Sequence, residues 1–201
     1  MASKKRESYH HGHLRTALLE VATEMIAEAG IESVTMRALS ERIGVSRTAP
    51  YRHFADKAAL LAGVAEEGFK RLGQHLQAVM LQEEVDILAR FQQMGVAYIQ
   101  FAVEHPTHYQ LMFGREIANP EAYPDLEATG KAVFDLLVMT VQQGQAENKI
   151  KAGDPRNLAL VAWATVHGVS SLVINGQIRG LTDLAGLANF ATQTLGEGIR
   201  L

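Results

Sequence analysis

The stretch VTMRALSERIGVSRTAPYRHFAD, residues 34–56, constrains the fold of this chain more than any other. Thr35 is a natural N-cap, and Val34 ahead of it is placed to meet Leu39 as a hydrophobic staple. Met36, Leu39 and Ile43 make one apolar face, and Gly44 stops the helix after about two turns. Only Gly44, Val45 and Ser46 intervene before a second short helical segment, RTAPYRHF, opened by Ser46 as N-cap. Asp56 then stands ready to cap a third. Two short helices joined by a three-residue turn containing glycine form a helix-turn-helix pattern.

The rest of the chain is helical in its punctuation. No run of alternating Val, Ile, Thr and aromatic residues sits between turn signals, so strands are not expected. Leu14, Leu18, Val21 and Met25 recur at helical spacing, which predicts a first helix from about residue 11 to 29, ended by Gly30. Beyond 57, long helices are expected to about 81, to about 104 and to about 146, with a short one opened by Pro106. Asp154-Pro155 starts another that reaches Asn175-Gly176, and a last one covers about 182–199. With 201 residues the chain can bury a substantial core. We expect an all-α protein with an N-terminal part, 1–60, and a larger helical part, 61–201. Charge divides at the same place: residues 1–60 hold nine Lys/Arg against seven Asp/Glu, and residues 61–201 hold ten against fifteen. The basic end points to an anionic partner.

On an ideal helix, Arg47, Thr48, Tyr51 and Arg52 lie within about 140° of arc, while Ala49, Pro50 and Phe54 fall opposite, with His53 at their edge. Guanidinium groups can grip guanine O6 and N7 in a fork, threonine can reach base edges, and tyrosine can reach phosphate. Thr35 and Ser46 place free amides and hydroxyls at helix N-termini, where phosphates bind, and Lys57 can hold another. The simpler alternative is that both arginines merely solvate a surface helix. The run from about Tyr9 to Lys70, above all TMRALSERIGVSRTAPYRHFADKAALL, resembles the DNA-binding domain of the TetR family of bacterial transcriptional repressors. The resemblance implies a homodimer on a double-stranded DNA operator, joined through its last two helices, with a C-terminal domain that takes a small-molecule inducer. It places Thr35, Ser46, Arg47, Thr48, Tyr51, Arg52, His53 and Lys57 at the family's DNA-contacting positions.

In the C-terminal part, WATVHG at 163–168 resembles the Trp-x-x-x-His-Gly signature of a TetR C-terminal domain type often called WHG. Trp163 and His167, four apart, share a helical face. Either they are packing elements, with Gly168 admitting a neighbouring helix, or they touch a ligand. The pocket candidates besides these two are Met94, Tyr98, Phe101, Tyr109, Met112, Phe113, Phe134 and Met139, since flexible methionines with aromatic walls suit a flat, greasy molecule. Glu104 and Glu116 are read as solvated surface, with a cationic ligand as the alternative.

The chain opens on SKKR and YHHGHLR. Three imidazoles can hold zinc, so a metal-dependent enzyme is a competing reading, yet His10, His11 and His13 have no carboxylate at ligand-like spacing and no nucleophile is paired with a base. Lys4, Lys5 and Arg6 are read instead as an arm along phosphates, helped by His10 and His11. No metal or cofactor is expected. A DNA binder without a small ligand, of the nucleoid type, is the remaining alternative. The absence of cysteine suits a reducing cytoplasm. The apolar run at 158–174 carries His167 and hydroxyl side chains, which favours a buried helix over a membrane span.

Overall fold

The structure is a computed structural model describing residues 14–82, 85–117 and 119–201. Its described residues form eight α-helices: α1 (Leu14–Ala29), α2 (Met36–Ile43), α3 (Lys57–Met80), α4 (Ile87–Glu104), α5 (Pro106–Phe113), α6 (Pro124–Ala146), α7 (Pro155–Ile174) and α8 (Leu184–Ile199). Local chemistry explains their ends. The Thr35 hydroxyl accepts from the Ala38 amide, the Asp56 carboxylate from Ala59, Asp86 from Leu88 and Ala89, and Asp183 from Gly186, so each of these helices has an amide of its first turn satisfied. Gly44 closes α2 at φ 82°, a left-handed conformation in which its amide donates to Ser40 O.

The expected recognition helix is the exception. Residues 47–53 wind as turns around a short 3-10 segment, Pro50–Arg52, not as an α-helix. Pro50 has no N–H, so the bond an α-helix would run from position 50 to Ser46 O cannot form, and Ala49 N donates to that oxygen at 3.0 Å instead. Arg52 N to Ala49 O and His53 N to Pro50 O continue the tighter pattern. The tighter winding swings His53 off the apolar edge assigned to it, and its side chain is exposed.

Three clusters of buried side chains hold the molecule together. One joins α1, α2 and the start of α3 through Leu18, Leu39, Phe54 and Leu60, and is closed from outside by Leu111 of α5 and Leu126 of α6. The second lies between α3, α4, α5 and α7, and the third between α4, α6, α7 and α8 around Phe91 and Val141. Helix α3 contributes to the first two without a break, so the sequence division near residue 60 falls inside one continuous helix. The last residues are pinned by an isolated antiparallel bridge between Ile150 and Arg200. Among the described helices α7 alone is long and apolar enough to cross a membrane. It packs against α4, α6 and α8.

Candidate nucleic-acid interface and ligand cavity

The turn after α2 presents a sharply sorted set of side chains. Ala49, Pro50 and Phe54 are buried, whereas Ser46, Arg47, Thr48, Tyr51, Arg52 and His53 are exposed. Tyr51, at 56% exposure, is the large aromatic of this set and packs against little of its own chain. Phe54 is the anchor. It sits so close to α3 that a Cβ at Gly63 would lie 2.9 Å from its ring, and the Arg15 guanidinium covers it at 5.4 Å. Helix α2 is tied to α1 by Arg42, which forks onto Glu28 with both nitrogens at 2.6 Å and holds that carboxyl below its ordinary range. Thr35 is exposed at the N-terminus of α2, its hydroxyl already accepting from Ala38. Lys57 lies half-buried, 3.6 Å from Glu32, so a phosphate would compete with an internal carboxylate for it. Lys4, Lys5, Arg6, His10 and His11, the expected arm, lie outside the described residues, as does His13.

The C-terminal helices enclose a cavity of about 600 Å³. Of the ten residues expected there, Met94, Tyr98, Met112, Phe113, Phe134 and Trp163 line it. The other four do not. Phe101, 1% exposed, faces the opposite side of α4 toward His75 and His105. Met139 is 47% exposed on the outside of α6. Tyr109 and His167 stand behind the wall, locked to each other. Of the acidic pair weighed as a cation's partner, neither Glu104 nor Glu116 lines the cavity. Phe69, Leu72 and Leu76 of α3 complete one wall, and Lys131 and Arg156 are among the charged lining residues. Ordinary helical periodicity gave no reason to separate the α3 residues from core.

The polar network behind this wall accounts for the Trp-x-x-x-His pair. Trp163 Nε1 donates to the Tyr98 hydroxyl at 3.1 Å. His167 Nδ1 lies 3.1 Å from the Tyr98 hydroxyl and 2.8 Å from that of Tyr109. Neutral His167 with its proton on Nε2 has one lone pair at Nδ1 for the two phenols, and the Tyr109 hydroxyl has the His167 carbonyl oxygen, at 3.2 Å, as its other acceptor. Burial holds the imidazole below its ordinary pKa and raises both phenols, Tyr109 to about 12, so every member stays neutral at pH 7. One helical turn of α7 thus offers an indole to the cavity and an imidazole to Tyr98 in its wall and Tyr109 behind it. Gly168 serves no close approach among the described residues, for a Cβ there would meet nothing of them within 4 Å.

Comparison with known proteins agrees with this geometry. Residues 18–64 match the family described as bacterial regulatory proteins, tetR family, and residues 91–195 match the tetracyclin repressor-like C-terminal domain. The chain is 27% identical over 153 residues to the nucleoid occlusion factor SlmA of Marinomonas sp. (strain MWYL1), covering 76% of this chain and 73% of that one. It is 44% identical over 52 residues to the class C tetracycline repressor protein of Escherichia coli, 26% of this chain and 24% of that one. A solved structure of a protein of unknown function from Rhodococcus sp. RHA1 superposes with a TM-score of 0.86 at 36% identity, covering 98% of this chain and 100% of the other. The C-terminal match alone spans more than half of the chain. The fold and family are those of regulators, not of enzymes: this chain belongs to the TetR family of DNA-binding transcriptional regulators.

Proposed function

We propose that this regulator is a ligand-responsive repressor that binds a palindromic operator as a dimer and is released by a small apolar inducer. The observation that carries the reading is the double engagement of α3. Its Phe69, Leu72 and Leu76 wall the cavity, and its first turns, at Gly63, seat the Phe54 ring that anchors the exposed turn 46–53. A molecule that displaces the cavity wall therefore shifts the helix on which the DNA-facing turn is mounted. Such a ligand needs only a higher affinity for the shifted arrangement than for the DNA-competent one. In this reading Ser46, Arg47, Thr48, Tyr51, Arg52 and His53 face DNA, and Thr35 and Lys57 hold phosphates.

The dimer is supported by apolar surface that the chain leaves uncovered. Leu160, Val161 and Leu172 of α7 are 44–57% exposed, and Phe190 of α8 is 69% exposed. Small residues, Gly168 on α7 and Gly186, Gly196 and Gly198 on α8, lie on the same two helices, and a second copy packed there would bury them in a four-helix arrangement.

A second reading follows from the SlmA relatives, whose name makes them nucleoid occlusion factors. On that reading the chain binds DNA without a small effector. The two separate when the protein on its selected DNA is challenged with a panel of apolar compounds. Release of DNA by compounds that also bind the free protein supports the repressor reading. Compounds that bind the protein yet leave DNA affinity unchanged within about twofold overturn it.

A further inference from the structure

Outside the cavity and the DNA-facing turn, one group of side chains has no role in what precedes. His75 of α3 meets Glu104 and His105, where α4 ends and α5 begins, and one ligand atom of each lies within 4.8 Å of the others. Tetrahedral zinc with bonds of about 2.0–2.2 Å wants donors roughly 3.3–3.5 Å apart, a distance that small side-chain rotations supply from here.

Two features prepare the group for a cation. His75 Nδ1 lies 2.8 Å from Arg71 O. A carbonyl oxygen only accepts, so Nδ1 carries the proton and the lone pair of neutral His75 is on Nε2, the arrangement found at histidines that bind metals. Both imidazoles also rest on one buried ring: Phe101 lies 5.6 Å from His75 and 4.9 Å from His105, and the two imidazoles are 6.2 Å apart. The neighbouring Arg71 guanidinium is taken by Glu67 at 3.2 Å, so it does not compete for Glu104 in the structure.

We propose that His75, Glu104 and His105 form a site for a divalent transition metal, zinc in particular, that ties α3 to the α4–α5 corner. Two imidazoles and one carboxylate suit zinc and its neighbours better than magnesium or calcium, which prefer oxygen ligands throughout. Three protein ligands leave one position for water. The tie matters because it joins the helix carrying Gly63 and the cavity wall to the corner from which α5 presents Met112 and Phe113 to the same cavity.

The amino-terminal histidines are the obvious confounder, so the test starts from full-length protein carrying His10→Ala, His11→Ala and His13→Ala. Cobalt and zinc are titrated separately into this background by calorimetry and by the visible absorption of bound cobalt. One equivalent per chain is expected, with zinc at a hundredfold excess over its Kd raising Tm by about 5–10 °C. Adding His75→Ala and His105→Ala should abolish that equivalent and the Tm rise. Glu104→Gln, a conservative change at an exposed position, should weaken binding at least about tenfold with an unchanged circular dichroism spectrum. Failure of the His10→Ala/His11→Ala/His13→Ala background to bind an equivalent of either metal would overturn the proposal. So would equal binding in the His75→Ala/His105→Ala variant.

Discussion

Tyr98→Phe removes one hydroxyl from the network behind the cavity and leaves the ring in place. Two interactions are lost: Trp163 Nε1 donates to that oxygen at 3.1 Å, and His167 Nδ1 faces it at 3.1 Å. The consequences are unequal. His167 keeps the Tyr109 hydroxyl at 2.8 Å, so its acceptor is not orphaned. The indole N–H has no second acceptor within hydrogen-bonding distance among the described residues, and leaving such a donor unpaired costs about 1–3 kcal/mol. The whole effect is therefore expected near that range, at roughly 2–4 °C in Tm per kcal/mol for a chain this size. Chemical unfolding at fixed protomer concentration measures it, and a cycle with Trp163→Phe isolates the bond. Once the indole donor is gone, the Tyr98 hydroxyl has less to contribute, so the double variant should be less destabilised than the sum of the singles by about 1 kcal/mol. Single effects that add within about 0.3–0.5 kcal/mol would refute the claim that this hydrogen bond joins α4 to α7.

Three further outcomes follow from the same geometry. Gly63→Ala puts a methyl 2.9 Å from the Phe54 ring and 3.0 Å from Leu19, so it should lower stability by about 1–3 kcal/mol and weaken DNA binding with it; wild-type values for both would contradict the anchoring role of Phe54. Gly130→Leu behaves oppositely: the nearest atoms to a Cβ there are those of the Phe69 ring, at 3.4–3.5 Å, and replacing a helical glycine is favourable by up to about 1 kcal/mol. Tm should hold or rise while binding of an apolar fluorescent dye falls at least about tenfold, and undiminished dye binding would show that the side chain does not fill the cavity. The third concerns pH. Burial keeps the folded-state pKa of His167 below that of the unfolded chain, so stability present near neutrality is lost as pH falls below about 6.5 and levels off once the folded protein also binds the proton. His108, pushed down to about 4 chiefly by burial, acts with the same sign and extends the loss to that pH. Urea unfolding between pH 7.5 and 4 should show this slope, reduced in His167→Gln; an identical slope in the variant would deny His167 its part.

How much of this was legible in the sequence depended on the range of the interaction concerned. Caps and stops are local, so Thr35, Gly44, Asp56 and Pro155 marked their helix ends without knowledge of the fold. The segregation of residues 46–54 into exposed and buried sets, His53 apart, was legible for the same reason. The α-helix expected there was not legible, because the missing Pro50 amide leaves Ser46 O to Ala49 and tightens the whole turn. The cavity was half legible. Periodicity brought Met94, Tyr98 and Phe101 forward together, but which side of α4 faces α6 and which faces His75 is decided by neighbours far away in sequence. The same limit hid the His75, Glu104 and His105 group, in which His75 of α3 lies about 30 residues before the adjacent Glu104 and His105 at the α4–α5 corner. It also left Trp163 and His167 undecided between packing and ligand binding, and the structure gives both an internal hydrogen-bond role, with Trp163 at the cavity surface as well.

The central claim is that the exposed turn 46–53, displayed twice by a dimer, reads DNA. Selection from a random DNA pool by the full-length protein, followed by sequencing, addresses it most directly. An inverted repeat with half-site centres about one helical turn or a multiple apart is predicted, and Arg47→Ala or Arg52→Ala should cost about 1–3 kcal/mol on that site while relaxing preference at specific positions. A pool that emerges without an inverted repeat, or variants that bind the selected site as tightly and as selectively as the wild type, would contradict it.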